Sequence, residues 1–163
     1  LDKPVEHEKL AVIAKCGIHA PSAMNQQTWA VRVVENPDFI KGTTEIFKKE
    51  NPEQVKRDAN FKNLYRNAPN IIVVACPKDD HYATLNVGLM GENMMLAAQS
   101  RGLGTCCLGS ASMFLQRSEA YKPFIAQLRL PEGYEISYIL AVGYPDETPA
   151  AKPRDDSKVE YIK

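Results

Sequence analysis

The 163-residue sequence has no excess of charge of either sign: Lys and Arg together number 20, as do Asp and Glu. A nucleic-acid binder needs a basic excess to neutralise phosphates, and a polybasic membrane anchor needs clustered cations; neither is expected here. No apolar run approaches the ~20 residues that cross a bilayer as a helix, and no secretory leader is visible, so a cytoplasmic location is the expectation. The residues begin at Leu1 rather than Met, which leaves a preceding segment open. Cysteine is scarce. Cys16 and Cys76 lie in apolar segments, and Cys106-Cys107 is a vicinal pair without the two-residue gap of a zinc or redox motif. Reduced, buried thiols are the expectation. His7, His19 and His81 stand far apart, so no metal site is expected. Also missing are a G-x-S-x-G element, a Ser-His-acid set and a phosphate-loop Lys-Ser/Thr pair.

What is present reads as one α+β domain over residues 1–163, with 44% apolar and 25% charged residues. Leu10, Ile13, Ala14 and Ile18 recur at helical spacing, predicting a helix over 4–18 with Pro4 in its first turn. Trp29, Val31 and Val33 alternate as in a strand. Helices are predicted over 38–49 and, as a polar one, over 53–66. The β-branched run from Ile71 to Ala75 predicts a buried strand. Residues 81–101 read as a central helix, apolar almost all round, with Gly102 at its C-terminal cap and Glu92 as a structurally satisfied carboxylate. A short strand at 105–108, a helix over 112–128 with a break or new start at Pro123, and a strand from Ile136 to Val142 follow. The polar, proline-rich tail 145–163 ends in VEYIK, whose alternation suits a short strand added to the sheet edge of a partner chain.

Three stretches carry more polar or flexible residues than connectors need. The first is APSAMNQQTWA, Ala20 to Ala30, with Ser22, Asn25 and Gln27 beside the single Trp. The second is RGLGTCCLGS, Arg101 to Ser110. Its spacing, G-x-G-x-x-x-x-G after a helix, is not the dinucleotide fingerprint, which follows a strand. The third holds Lys152 and Arg154, two cations that can clamp a phosphate. No side chain is poised for acid–base or nucleophilic work, a combination that suits chemistry done by a bound cofactor.

Together with NAPNIIVVA (Asn67 to Ala75) and the stretch from Leu128 to Arg154, these segments resemble the FMN-dependent nitroreductase family. The resemblance runs from Pro4 to Arg154, with four weak motifs in the family's order. It implies an α+β sandwich with a mixed, mostly antiparallel sheet flanked by helices. It further implies an intertwined homodimer with C-terminal strand exchange, the extension 145–163 embracing the partner. By the same resemblance Ser22, Asn25 and Gln27 contact FMN across the interface and Pro21 packs near its ring. The backbone at Leu108 and Gly109 faces N5, Gly104 and Thr105 support that turn, and Lys152 and Arg154 bind the phosphate. Hydride passes from NADH or NADPH to flavin N5, then to a small electron-poor acceptor, a nitroaromatic or a quinone, in a ping-pong scheme. The other reading is a catalytically silent dimer that binds or senses flavin or nucleotide.

Two departures stand out. Thr28 replaces the Pro of the usual Gln-Pro-Trp, for which a small effect is expected. The family's Arg-Arg-Ser-x-Arg type segment lies just upstream of the first helix, where the residues here begin at Leu1 with only Lys3 before Pro4. Relatives that fragment flavin or remove halide usually carry an added lid, of which this compact sequence gives no sign.

Overall fold

The run Asn70–Pro77 forms β2, the strand around which the rest is laid. In the computed structural model, which describes residues 1–163, the side chains from Ile71 to Ala75 are fully buried. Burial on both faces explains why this run does not alternate in polarity. β1 (Ala30–Val34) pairs on one side of it and β4 (Tyr134–Gly143) on the other, and β3 (Gly104–Leu108) pairs with β4. The order is β1-β2-β4-β3, and all three pairings within the chain are antiparallel. A parallel member of a mixed sheet would have to come from another chain.

Period-two alternation along β2 sends its side chains to two cores. Ile72 and Val74 join Leu10 and Ile13 of α1 (His7–Ile18) with Val87, Met90, Met94 and Ala98 of α4 (Ala83–Ser100). Ile71 and Val73 join Phe39 and Ile40 of α2 (Pro37–Glu50) with Ala111 and Leu115 of α5 (Gly109–Arg117). Each buried Ile, Leu or Met contributes roughly 1.5–3 kcal/mol. α1 and α4 cross closely at Gly17, where a Cβ would stand 2.6 Å from Met94 Cγ. α4 ends as expected. Gly102 has φ 72°, its amide donates to Gln99 O, and the Leu103 amide donates to Ala98 O, the paired bonds that close a helix on a left-handed residue.

Several sequence expectations change. α1 starts at His7, because the backbone before it is tied to the sheet: Val5 is buried and its amide donates to the Asn70 side chain at 2.9 Å. The helix expected over 53–66 shrinks to α3 (Pro52–Lys56). Beyond it Asp58, Asn63 and Asn67 accept bonds from nearby backbone amides, offering the chain an alternative to the helix ladder. The helix expected over 112–128 breaks at Ser118, which is extended and caps the turn Glu119–Tyr121. Pro123 marks a new start, as one of the two expectations had it: it sits in the first turn of α6 (Lys122–Gln127), where its missing amide costs nothing. Glu92 is exposed, not a buried carboxylate. Cys106 and Cys107 are also exposed, because β3 is an edge strand. The VEYIK end forms no strand within its own chain; the hydrogen bonds of residues 146–163 are all internal to that tail.

Candidate functional site

The α1–β1 connection carries three of the six non-glycine residues with positive φ. Met24, Asn25 and Gln27 all have positive φ, at 51°, 54° and 54°. A left-handed conformation costs an L-residue about 1–2 kcal/mol, less for Asn. Such strain persists only where surrounding bonds over-determine it. Here they do. Ser22 Oγ accepts from the Gln27 amide at 2.9 Å, and Gln27 Nε2 donates to Asn25 Oδ1 at 3.0 Å. The structure therefore brings three expected site residues, Ser22, Asn25 and Gln27, into one bonded set. Asn25 and Gln27 remain exposed, and Pro21 is exposed beside them.

Two residues absent from the sequence reading hold this loop from outside. Asn86, fully buried in α4, accepts at Oδ1 from the Ala23 amide at 2.9 Å. Asp80, just before α4, accepts from Thr28 Oγ1 at 2.6 Å and from the Tyr82 amide at 2.9 Å. Thr28's hydroxyl and then the Tyr82 amide hold the Asp80 carboxyl below its ordinary range. A Pro at 28 would have no hydroxyl to give to Asp80. Asn86 Nδ2 has no hydrogen-bond partner. A buried unpaired donor costs about 1–3 kcal/mol. The one available signal was an Asn inside an apolar helix, because a buried amide needs partners.

The second group lies at the β3–α5 junction. Leu108 is buried and ends β3; Gly109 is exposed and opens α5. A Cβ at Gly109 would meet nothing within 4 Å, so the space in front of this backbone is open. The first-turn amides of a helix have no acceptor inside it and are free to serve a ligand. Gly104 and Thr105 sit within β3, opposite Gly143 and Val142, and the turn itself is made at Gly102.

A cleft of about 260 Å³ lies between α4 and the sheet, lined by Thr84, Val87, Gly88 and Gly91 on one side and Cys107 and Tyr138 on the other. Tyr138 Oη donates to Val87 O at 2.7 Å across it. Burial pushes the Tyr138 hydroxyl up, and partial burial in the cleft raises the Cys107 thiol as well. Ligand pockets typically span roughly 300–1,000 Å³, so this cleft is small for a cofactor of flavin size.

The third group stands apart. Arg154 donates to Lys152 O at 2.8 Å, and both residues are exposed on the tail. No hydrogen bond or ion pair joins them, within one chain, to loop 22–28 or to Gly109. The tail departs from Tyr144, whose hydroxyl donates to Glu6 at 2.5 Å and accepts from Lys9 at 2.7 Å. The bond from Tyr144 lowers the Glu6 pKa to about 2.

A family model described as "Nitroreductase family" matches residues 1–144. The chain belongs to the nitroreductase family. It is 29% identical over 160 residues to a protein of Archaeoglobus fulgidus provisionally named NADH dehydrogenase/NAD(P)H nitroreductase, covering 95% of this chain and 83% of that one. It is 26% identical to an iodotyrosine deiodinase of Thermotoga neapolitana, covering 94% and 86%. Among solved structures it superposes on a nitroreductase with bound FMN from Desulfitobacterium hafniense DCB-2 with TM-score 0.87 and 24% identity, over 100% of this chain and 90% of that one. These likenesses establish the nitroreductase fold. Because this chain spans most of a deiodinase, compact length does not separate nitroreductase from dehalogenase chemistry. No helix of this nitroreductase-family chain is long and apolar enough to cross a membrane.

Proposed function

We propose that the chain is an FMN-dependent oxidoreductase, passing hydride from NADH or NADPH to a small electron-poor acceptor such as a nitroaromatic or quinone. The observation that carries this reading is the strained, bonded loop of Ser22, Asn25 and Gln27 in a chain of this family. FMN, when bound, supplies the hydride acceptance and donation at N5. The residues present fit it. The exposed amides of Asn25 and Gln27 offer both donors and acceptors to a polar heterocycle and its ribityl chain. Pro21 lends an apolar surface beside them. The backbone at Leu108–Gly109, with Gly104 and Thr105 behind it in β3, is open to solvent at Gly109 and would offer its amides to the ring. Lys152 and Arg154 would hold the phosphate by charge-assisted bonds. The protein's part is orientation and preorganised donors, with no side chain moving a proton.

The site is completed by a second copy of the chain. The single-chain cleft is small, and Leu85, Leu89 and Leu96 of α4 are 58%, 39% and 60% exposed, an apolar stripe that needs a partner. The tail 145–163, with exposed Val159, Tyr161 and Ile162, embraces that partner and adds to a free sheet edge. The homodimer is cytoplasmic in this reading.

The test is a visible absorbance titration of the purified protein with FMN, then NADH or NADPH under argon. Bound flavin that bleaches with nicotinamide and recovers with a nitroaromatic or quinone supports the proposal. Recovery with iodotyrosine, but not with these acceptors, replaces the acceptor class with a halogenated phenol. Binding without bleaching supports a silent flavin-binding dimer, and a protein that binds no FMN overturns the reading.

A further inference from the structure

Loop 22–28 is held at both ends by one short stretch of chain. Its start is pinned where the Ala23 amide meets Asn86, and its end where Thr28 meets Asp80. Asp80 and Asn86 are six residues apart, and the Tyr82 amide bonded to Asp80 Oδ1 ties the carboxylate to the leading turn of α4. α4 in turn is fixed by its core residues Val87, Met90 and Met94. The loop's three left-handed residues thus lean on a rigid element rather than on one another alone. The amide orientation of Asn86 is set by its partner, because flipping it would oppose its NH₂ group to the Ala23 N–H. Asn86 keeps this contact although its Nδ2 goes unpaired.

We propose that Asp80 and Asn86 are positioning residues that hold loop 22–28 in its binding-ready form and so set how tightly the protein takes its flavin. This rests on the flavin reading above. The apparent affinity of a ligand falls by the fraction of protein in the competent form, so a tenfold loss of ordered loop weakens binding tenfold. Thr28 is the adjustable end of the latch. Its hydroxyl makes a bond that a prolyl residue cannot make.

The experiment combines two readouts on D80A, N86A, T28V and T28S. The first is amide hydrogen exchange of the apo protein over residues 22–28. The second is FMN affinity, read by quenching of flavin fluorescence. D80A, N86A and T28V are expected to speed loop exchange and to raise the FMN dissociation constant by about tenfold. T28S, which keeps the donor, is expected to restore both. T28V changes a half-buried loop side chain outside both cores, so it stays informative if N86A fails to fold. Unchanged loop exchange in D80A and T28V overturns the latch. Faster exchange with unchanged FMN affinity overturns its role in binding. If the wild type binds no FMN, the proposed function fails, and the latch stands or falls on exchange alone.

Discussion

Replacing Gly91 with Ala tests the packing of α4 on the sheet, because one atom decides the outcome. A Cβ at Gly91 would lie 2.5 Å from Tyr138 Oη and 3.2 Å from Tyr138 Cζ. That hydroxyl donates to Val87 O at 2.7 Å, so it cannot withdraw without breaking its bond. Overpacking costs about 1–3 kcal/mol. A lost hydrogen bond adds about 0.5–1.5 kcal/mol. Against this, Gly to Ala in a helix gains about 1 kcal/mol. The net expectation is a loss of roughly 1–3 kcal/mol, or at about 2–4 °C per kcal/mol in a domain of this size, a fall in Tm of roughly 2–12 °C. Calorimetry on G91A, Y138F and the double variant checks it. Phe removes the atom in the way, so adding Y138F to G91A is expected to recover most of the loss, a coupling of opposite sign to the single effects. G91A as stable as wild type, or a double variant whose losses simply add, would refute the reasoning.

Other outcomes follow from the same geometry. Alanine at Lys152 and Arg154 removes charge-assisted bonds worth about 1.5–3 kcal/mol each; FMN binding should weaken at least tenfold while riboflavin binding, read in the same fluorescence titration, does not change. Equal loss for both flavins would remove the tail from the phosphate site. Glutamate at Leu89, within the exposed α4 stripe, should shift the protein toward monomer in sedimentation at micromolar concentration, and an unaltered mass would reject this face as the dimer contact. Glu6 titrates at about 2 in the folded protein against an ordinary 4.5. Its depressed pKa stabilises the fold above about 4.5, and that contribution disappears as pH falls toward 2. Y144F should flatten the dependence in that window. His7 moves the other way, raised by Glu35. Its contribution is present below 6.5 and lost as pH rises through the higher folded value, so E35Q should return the His7 NMR titration toward its ordinary midpoint.

The legible parts of the fold were those set by local chemistry. The wholly apolar run at β2 and the alternation at β4 reported their burial directly, and Gly102 marked the end of α4. The loop rich in Ser, Asn and Gln stood out as a concentration of hydrogen-bonding side chains, and the structure gives it a bonded, left-handed backbone. The segment after α3 misled because its polar residues are compatible with a helix until their side chains are seen to occupy the backbone amides. Pro123 marked either a break or a new start, because proline both ends helices and opens them; the extended backbone at Ser118 shows that the break lies upstream and that Pro123 opens α6.

The sequence by itself determined which residues are apolar enough to form two cores, where the strands run, and which loop concentrates hydrogen-bonding side chains. These depend on periodicity and composition, which are properties of neighbours in the chain. Tertiary structure alone decided that Asn86 would meet Ala23 and Asp80 would meet Thr28, contacts spanning 63 and 52 residues. It also decided that Cys106 and Cys107 would be exposed, because strand order, not strand sequence, put β3 at the edge of the sheet. Left-handed backbone at Met24, Asn25 and Gln27 belongs with these. No local preference for Met or Gln selects it; the loop that adopts it is bonded within itself at Ser22, Asn25 and Gln27 and to distant residues at Ala23 and Thr28.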